Sequence, residues 1–148
     1  MTTTTNALTV VVVDPDGSAR QESWEPGDDG SCLERLQGAV GGLVTVVHLD
    51  EVDVDMWLND EGLYLCDPNP VATIIAVANR DTDGAMAQPY FGPAVFTGGP
   101  DEEGATQSLS AGMAEQLLEL AERVQDNSQA VAAVATVGHR MASAYRGG

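Results

Sequence analysis

Alternating side chains in the stretch 52–59 are the densest set of groups that could bind another molecule. The polar or aromatic members are Asp53, Asp55, Trp57 and Asn59, and the apolar members are Val52, Val54, Met56 and Leu58. Because successive side chains of a β-strand point to opposite faces, we expect the apolar set in the core and the other set at the surface. A surface indole beside carboxylates and an amide can stack on and hydrogen-bond to a small ligand or a partner's arginine.

Three further residues complete the predicted recognition surface. Glu61 lies in the turn "NDEG", Asn69 stands between two prolines, and Tyr90 lies in "PYFG". Because prolines stiffen the backbone, the Asn69 amide would be held in place at little entropic cost. The predicted surface consists of Asp53, Asp55, Trp57, Asn59, Glu61, Asn69 and Tyr90. The alternative is that C-terminal helices cover Trp57, which would make it a core residue.

Groups that would indicate catalysis or metal binding do not occur at the required spacing. The stretch "DVDMWLNDEG" fails the EF-hand pattern because Trp57 stands where an oxygen ligand belongs. Cys32 and Cys66 lack a second cysteine or a histidine at zinc-ligand spacing, and no G-x-S-x-G motif occurs. His48 falls on a predicted core strand, and His139 falls on the terminal helix. We therefore predict no catalytic residue, no metal, no cofactor and no enzymatic activity.

The charge of the chain is strongly negative. Against 23 Asp and Glu there are six basic residues, all arginine, for a formal net charge of −17 over 148 residues. Such a field repels nucleic acid and anionic membranes, so we expect the protein to bind neither directly. The acidity has three open interpretations: a solvated surface, attraction to basic partners, or mimicry of the DNA backbone. Without a membrane span or signal peptide, the expected location is the cytoplasm, with both cysteines reduced.

Hydrophobic periodicity predicts an α+β fold with a small mixed or antiparallel sheet, one or two short helices and a C-terminal helical hairpin. Predicted strands are 8–13 with a hairpin partner reaching Trp24, a central strand 43–50, the alternating strand 52–59, a return strand at "LYL", and a last strand 94–97. Predicted helices follow N-caps at Ser31, Ser110 and Ser128, and the first ends at Gly41 and Gly42. For 71–78 propensity favours a strand, but Pro70 suits a first helical position, and we predict a helix.

The chain is expected to divide into a core and a tail. Residues 1–100 are predicted to form the α+β core domain. Residues 101–148 are predicted to be an acidic linker and a helical hairpin that packs on the core or mediates self-association. Apolar residues recur at helical spacing on both tail helices: Met113, Leu117, Leu120, Ala121 and Val124 on the first, and Val131, Val134, Gly138, Met141 and Tyr145 on the second. If both stripes face each other the protein is a monomer, but we favour a homodimer.

Four stretches in order along the chain resemble a known family. These are "LERLQGAVGG" (33–42), "MWLNDEGL" (56–63), "NPVATIIA" (69–76) and "QPYFGPAVFTGG" (88–99). Together they are similar to family 3846 of the domains of unknown function, found among small phage, plasmid and actinobacterial proteins. The resemblance covers about residues 8–100 and implies a compact α+β domain with no established activity. "CDPNP" departs from the leucine-proline turn more usual there, and the helical tail lies outside the resemblance.

The expected function is that of a non-enzymatic binding protein of a phage or mobile genetic element. It would act on a host protein or sequester a small molecule, with a role in counter-defence. The alternative is an acidic DNA mimic that inhibits a DNA-binding host protein, and a hydrolase with an unrecognised site is a third hypothesis. A closed pocket lined by Trp57 and Tyr90 would favour ligand capture, whereas carboxylates spaced along an elongated surface would favour mimicry.

Overall fold

An antiparallel sheet lies at the centre of the fold, with helices on both of its faces. The computed structural model describes residues 7–25, 32–79 and 89–146. The strands are β1 (Leu8–Val13), β2 (Ala19–Trp24), β3 (Val44–Leu49), β4 (Val54–Asn59), β5 (Ala94–Pro100) and β6 (Thr106–Gln107). The helices are α1 (Leu33–Val40), α2 (Gly62–Leu65), α3 (Pro70–Ala78), α4 (Ala111–Asp126) and α5 (Ser128–Tyr145). The predicted α+β class is confirmed.

Two hairpins flank a strand that comes later in the chain. The sheet order is β2-β1-β5-β4-β3, and every pairing is antiparallel. β5 joins the hairpin β1–β2 to the hairpin β3–β4. Beyond the end of its pairing with β1, β5 pairs with β6. The β1–β2 hairpin predicted from the turn signal "DPDG" is confirmed.

Hydrophobic clusters cover both faces of the sheet. On one face, which we call the α3/α4 side, α3 and α4 pack against side chains that include Val11, Val13, Met56 and Phe96. On the other face, the α1 side, Leu36 and Val40 of α1 pack against a set that includes Val10, Val12, Trp24 and Val95. A run of valines such as β1 suits a strand that is buried on both faces.

Most of helix α3 is buried, which explains its apolar sequence. Pro70 occupies the first turn, and the Ala72 amide donates to Asn69 Oδ1 at 3.1 Å. Proline suits this position because its missing N–H would have no partner in the helix. Val71 and Ile75 are fully buried in the α3/α4-side cluster. The helix predicted for 71–78 is confirmed, since capping and burial outweigh the strand propensity of its β-branched residues.

Strand β4 corrects the prediction of a solvent-exposed polar face. Val54, Met56 and Leu58 enter the α3/α4 side as predicted, but α1 packs over part of the other face. Asp55 and Asn59 are buried there, and Trp57 is half-buried against the α1-side cluster. The predicted exposure of these residues is therefore wrong. The cover comes from α1, and not from the C-terminal helices of the alternative reading.

Three other segments differ from prediction. β3 was predicted to be central but lies at one end of the sheet order. "LYL", expected as a return strand, belongs to the single-turn helix α2. The supposed acidic linker holds a turn closed by Asp101 Oδ1, which accepts from the amides of Glu103 and Ala105, and then β6. The predicted cap Ser31 and most of the predicted loop 79–88 lie outside the described residues.

The two C-terminal helices form as predicted, with one change of cap. Ser110 caps α4 by accepting from the Met113 amide at 3.1 Å, whereas Asn127, and not Ser128, caps α5 by accepting from the Ala130 amide. The apolar stripe of α4 packs on the sheet, and α5 contacts α2, α3 and α4. At Gly138 a Cβ would approach Pro68 to 2.7 Å, so glycine permits the close approach of α5. Within the described ranges, no helix is long and apolar enough to cross a bilayer.

Candidate functional site

Strand β3 presents one side of its backbone to solvent. The Asp60 amide donates to Leu43 O at 2.8 Å, which fixes the hydrogen-bonding phase of the β3–β4 hairpin. Because this phase alternates along an antiparallel pair, Thr45, Val47 and Leu49 direct their N–H and C=O groups to β4. Val44, Val46 and His48 direct theirs away from it. In the part of the chain that the structure describes, no strand pairs with β3 on the side away from β4. We call the outward N–H and C=O groups of Val44, Val46 and His48 the β3 edge.

The β3 edge is less protected than the opposite edge of the sheet. Its strand, "VTVVHL", contains no proline, lysine, arginine or carboxylate. Val46 is 47% exposed, and Leu43 just before the strand is 66% exposed. The opposite edge, β2, carries Arg20, which forms ion pairs of 2.6 Å with Asp14 and Glu22. Since proteins usually block edge strands with charges or proline, an apolar open edge indicates a surface for pairing with another strand.

His48 and Asp55 form a hydrogen-bonded pair beside the β3 edge. They are cross-strand neighbours in register, and His48 Nδ1 lies 2.7 Å from Asp55 Oδ1. The His48 ring is partly exposed, whereas the Asp55 carboxylate is almost wholly buried. The hydrogen bond to Asp55 is the largest cause that raises the pKa of His48. Coulombic attraction to Asp55, Asp53 and Asp50 adds to it, while desolvation opposes it.

Asp53 is held next to the imidazole by an unusual backbone. Its φ of 51° lies in the left-handed region, which Asp tolerates better than most side chains do. Its carbonyl accepts from the Gly99 amide at 3.0 Å, and a Cβ at Gly99 would collide with the Asp53 carboxylate. The carboxylate thereby lies with Oδ1 3.5 Å from His48 Nε2 and with most of its surface in solvent.

Trp57 lies on the same face of the sheet as Asp55, two residues further along β4. It is opposite Val46 in register, and its Nε1–H donates to Thr97 Oγ1 at 2.9 Å. The Thr97 hydroxyl in turn donates to Gly98 O at 2.9 Å. The indole is therefore oriented by β5 and packs its apolar part against the α1-side cluster. The sequence reading of Trp57 as a free surface group is wrong, although part of the ring stays accessible.

Asn59 and Asn69 are structural links between segments. Asn59 is buried; its Nδ2 donates to Val40 O at 3.0 Å, and its Oδ1 accepts from the Glu61 amide at 2.7 Å. Asn69 is fully buried and donates to Val13 O and Gly92 O at 2.9 and 2.8 Å while capping α3. The predicted exposure of both amides is wrong, because their groups are used to satisfy backbone atoms of distant segments.

The last two predicted residues lie away from the His48–Asp55 pair. Glu61 is exposed at the start of α2. Tyr90 is half-buried against the α3/α4-side cluster, and its amide donates to Thr73 Oγ1 at 2.9 Å. Trp57 packs on the opposite side of the sheet. Of the seven predicted residues, the structure brings Asp53, Asp55 and Trp57 together, and the other four are placed elsewhere.

His48 is the functional candidate that the sequence reading missed. It was assigned to a core strand because "LVTVVHLD" is apolar. The signal that could have identified it is the hairpin itself. If 44–49 and 54–59 pair through the intervening turn, His48 falls opposite Asp55 and Val46 falls opposite Trp57. In both of these pairs the two residues do not hydrogen-bond to each other through their backbones. Side chains approach most closely in pairs of this kind, which accounts for the short His48–Asp55 distance.

The groups at this site can form charge pairs and backbone hydrogen bonds. An imidazole held by a buried carboxylate can exchange a proton with an exposed partner. Across the described ranges, no three His, Cys, Asp or Glu residues are arranged to hold a metal. Depressions on the described part of the chain include an open one of about 340 Å³ between Gly17 and α4, and an open one of about 190 Å³ that Asp53 and Ser110 help to line. Neither is lined by Trp57 or Tyr90.

Comparison with known proteins gives a family assignment. The model of a domain of unknown function, DUF3846, matches residues 8–122, from β1 through most of α4. The match reaches further than the resemblance over about 8–100, so α4 belongs to the family domain and not to an added tail. No curated protein and no solved structure matches this chain. The chain belongs to the DUF3846 family, as its dispersed motifs predicted.

Proposed function

We propose that this protein is a non-enzymatic binding protein of a phage or mobile genetic element, which acts in the cytoplasm by capturing an extended segment of a host protein. The observation that carries the proposal is the β3 edge. Val44, Val46 and His48 offer backbone donors and acceptors in a row, on a strand whose side chains are mostly β-branched. Addition of a strand satisfies these groups and gives affinity through main-chain hydrogen bonds.

Two observations favour a protein partner over a sequestered small molecule. Trp57 and Tyr90 pack against different hydrophobic clusters on opposite faces of the sheet, which argues against a pocket that both would line. The depressions beside Gly17 and beside Asp53 are open, unlike the enclosed apolar sites that hold small ligands. A formal charge of −17 also favours basic host surfaces as targets and suits a role in counter-defence.

Mimicry of DNA is the second candidate, and α4 gives it a specific basis. Four exposed carboxylates follow one face of this helix at spacings of four, three and four residues: Glu115, Glu119, Glu122 and Asp126. Since the helix rises 1.5 Å per residue, they span about 16 Å in a row. Arg123 lies 3.9 Å from Glu119 and weakens the field of the row in part.

Two proline variants test capture at the β3 edge. Val46→Pro removes the outward N–H without removing a bond to β4, because proline is tolerated on edge strands where its nitrogen faces solvent. Gln21→Pro is the matched control. The Asp14 amide donates to Ser18 O at 2.9 Å, so the alternation places Gln21's backbone groups on the outer side of β2. Capture from a host lysate should fall at least tenfold for Val46→Pro and stay unchanged for Gln21→Pro.

Hydrogen exchange supplies an independent readout with a characteristic alternation. In the free protein, the amides of Val44, Val46 and His48 should exchange fast, while those of Thr45, Val47 and Leu49 are protected by β4. Partner binding should protect the first set. Protection centred on α4 instead, together with loss of capture on Glu119→Gln and Glu122→Gln, would replace strand capture by DNA mimicry.

A further inference from the structure

Carboxylates are concentrated at one end of the β3 edge. Asp50 follows the strand directly, and Asp53 closes the turn, with Oδ1 3.5 Å from His48 Nε2. The Asp53 side chain is 74% exposed, so solvent or a partner can reach its charge. The other end of the strand, around Val44 and Val46, carries no charged side chain. The side chains of the strand itself are thus apolar at its start, and carboxylates follow at its end.

We propose that the extended segment captured by the β3 edge carries a basic side chain opposite His48, placed against Asp50 and Asp53. The inference rests on the proposed function, since it identifies the partner of the same edge. A residue that pairs with His48 in an added strand has its side chain on the same face, with Cβ atoms about 5 Å apart. A lysine or arginine at that position reaches both carboxylates.

Val46 and Trp57, which are opposite each other on β3 and β4, determine a second feature of the partner. Val46 is two residues from His48, so its side chain lies on the same face, beside the indole of Trp57. A partner residue opposite Val46 would pack on valine and on the accessible part of the indole. Because side chains on one face of a strand recur every two residues, the partner should carry an apolar residue two positions from the basic one.

The basic side chain must compete with the proton of His48. Like charges directly opposite each other on a sheet face destabilise the pairing, so binding favours neutral imidazole. The charged groups that act on His48 are Asp55, Asp53 and Asp50, and Thr97 of the adjoining β5 is uncharged. These carboxylates raise the pKa of His48, chiefly through the Asp55 hydrogen bond, so the competition with the proton extends to a higher pH than it would for a free imidazole. By linkage, a bound basic segment should lower that pKa.

Synthetic peptides test the inference. The probe is a capped heptapeptide of alternating threonine and valine with a central arginine. Its valines flank the arginine symmetrically, so one valine lies beside Val46 whichever way the strand runs. The matched control replaces arginine by citrulline, which has nearly the same shape without the charge. Binding to the full chain is followed by amide exchange of Val44 and Val46 and by the NMR titration of His48.

The arginine peptide should bind about fivefold more tightly than the citrulline peptide, the scale of a favourable cross-strand charge pair. Its affinity should rise with pH through the titration of His48, and His48→Gln should remove this dependence. Asp53→Asn should remove much of the arginine preference, because it removes the negative charge. The backbone should be unchanged, since asparagine tolerates the same positive φ.

The outcomes separate the two proposals. Equal binding of both peptides, with protection at β3 and no dependence on pH, would overturn the basic-residue inference and leave strand capture standing. Failure of both peptides to protect Val44 and Val46 would overturn strand capture and the inference with it. A peptide preference that persists in Val46→Pro would show that the charge acts away from the β3 edge, which also contradicts the inference.

Discussion

His48 and Asp55 lie directly opposite each other on β3 and β4, with Nδ1 and Oδ1 2.7 Å apart. The carboxylate is buried and the imidazole is partly exposed. A buried carboxylate needs its hydrogen-bond donors, whereas an exposed imidazole can exchange its proton with water. The pair therefore couples the protonation of a surface group to the integrity of the sheet.

His48 should make stability depend on pH. Because the hydrogen bond to Asp55 raises its pKa on folding, the protonated form is favoured in the folded state. Its contribution is fully present below the unfolded pKa of about 6.5 and is lost as pH rises through the higher folded pKa. Urea unfolding of wild type and His48→Gln from about pH 5 to 9 should show a stability difference that shrinks with pH. A stability difference that does not change with pH would contradict the Asp55 hydrogen bond as the cause of the raised His48 pKa.

Asn59→Ala should destabilise the protein by about 1–3 kcal/mol, the cost of leaving buried polar groups without partners. The substitution removes the donor to Val40 O and the acceptor of the Glu61 amide. Denaturant unfolding measures the change, and Gln21→Ala on the exposed outer edge of β2 is a control expected within about 0.5 kcal/mol of wild type. Equal stabilities for both variants would show that water replaces the Asn59 amide.

Asn69→Ala should cost more, about 3 kcal/mol or above, since it removes a helix cap and two buried donor bonds together. The acceptors left without these bonds are Val13 O and Gly92 O. Ser110→Ala is the matched control, because it removes a cap from α4 at an exposed position and should cost only about 1 kcal/mol. Similar losses for the two variants would mean that capping alone explains the role of Asn69.

The helical stripes of the C-terminal segment predict a homodimer, and the structure narrows the surface available for it. Most of the α4 stripe packs on the sheet, whereas Val137 and Tyr145 of α5 are each more than half exposed. Light scattering at micromolar concentration should give the mass of two chains. Val137→Glu should reduce it to one, while Ala132→Glu, on another face of α5, should not. A wild-type mass of one chain would rule out the dimer.

Hydrophobic periodicity predicted the strands and helices of this fold better than it predicted what packs against them. The alternation from Val52 assigned the inward side of β4, and the Ser110 cap and Pro70 assigned two helices. Alternation reports which residues share a face, but it does not report whether a second layer covers the other face. α1 is short and carries only Leu36 and Val40 as buried residues, so nothing in its sequence indicated that it covers part of β4.

The site was only partly predictable for a related reason. Asp53, Asp55 and Trp57 were identified from their types, but their partners lie on other strands. Pairing register decides that His48 faces Asp55 and that Thr97 receives the Trp57 bond. Sheet order decides that β3 is an edge, although its valine-rich sequence is typical of a buried strand. Register within a hairpin can be inferred from its turn, whereas the insertion of β5 depends on contacts made across the whole chain.

The position of β5 also constrains the order of events during synthesis on the ribosome. The β1–β2 and β3–β4 hairpins can each close from local sequence as they emerge, but only residues 94–100 join them. Until then, β1 and β4 each carry an unpaired inner side in addition to the outer edges of the finished sheet. The nascent chain thus exposes the inner edges of β1 and β4 for the time needed to add about 40 residues after β4, at about 5–20 residues per second. During that interval the inner edges of β1 and β4 could mispair with other chains. The acidic charge of the chain opposes such mispairing between copies, because like charges repel.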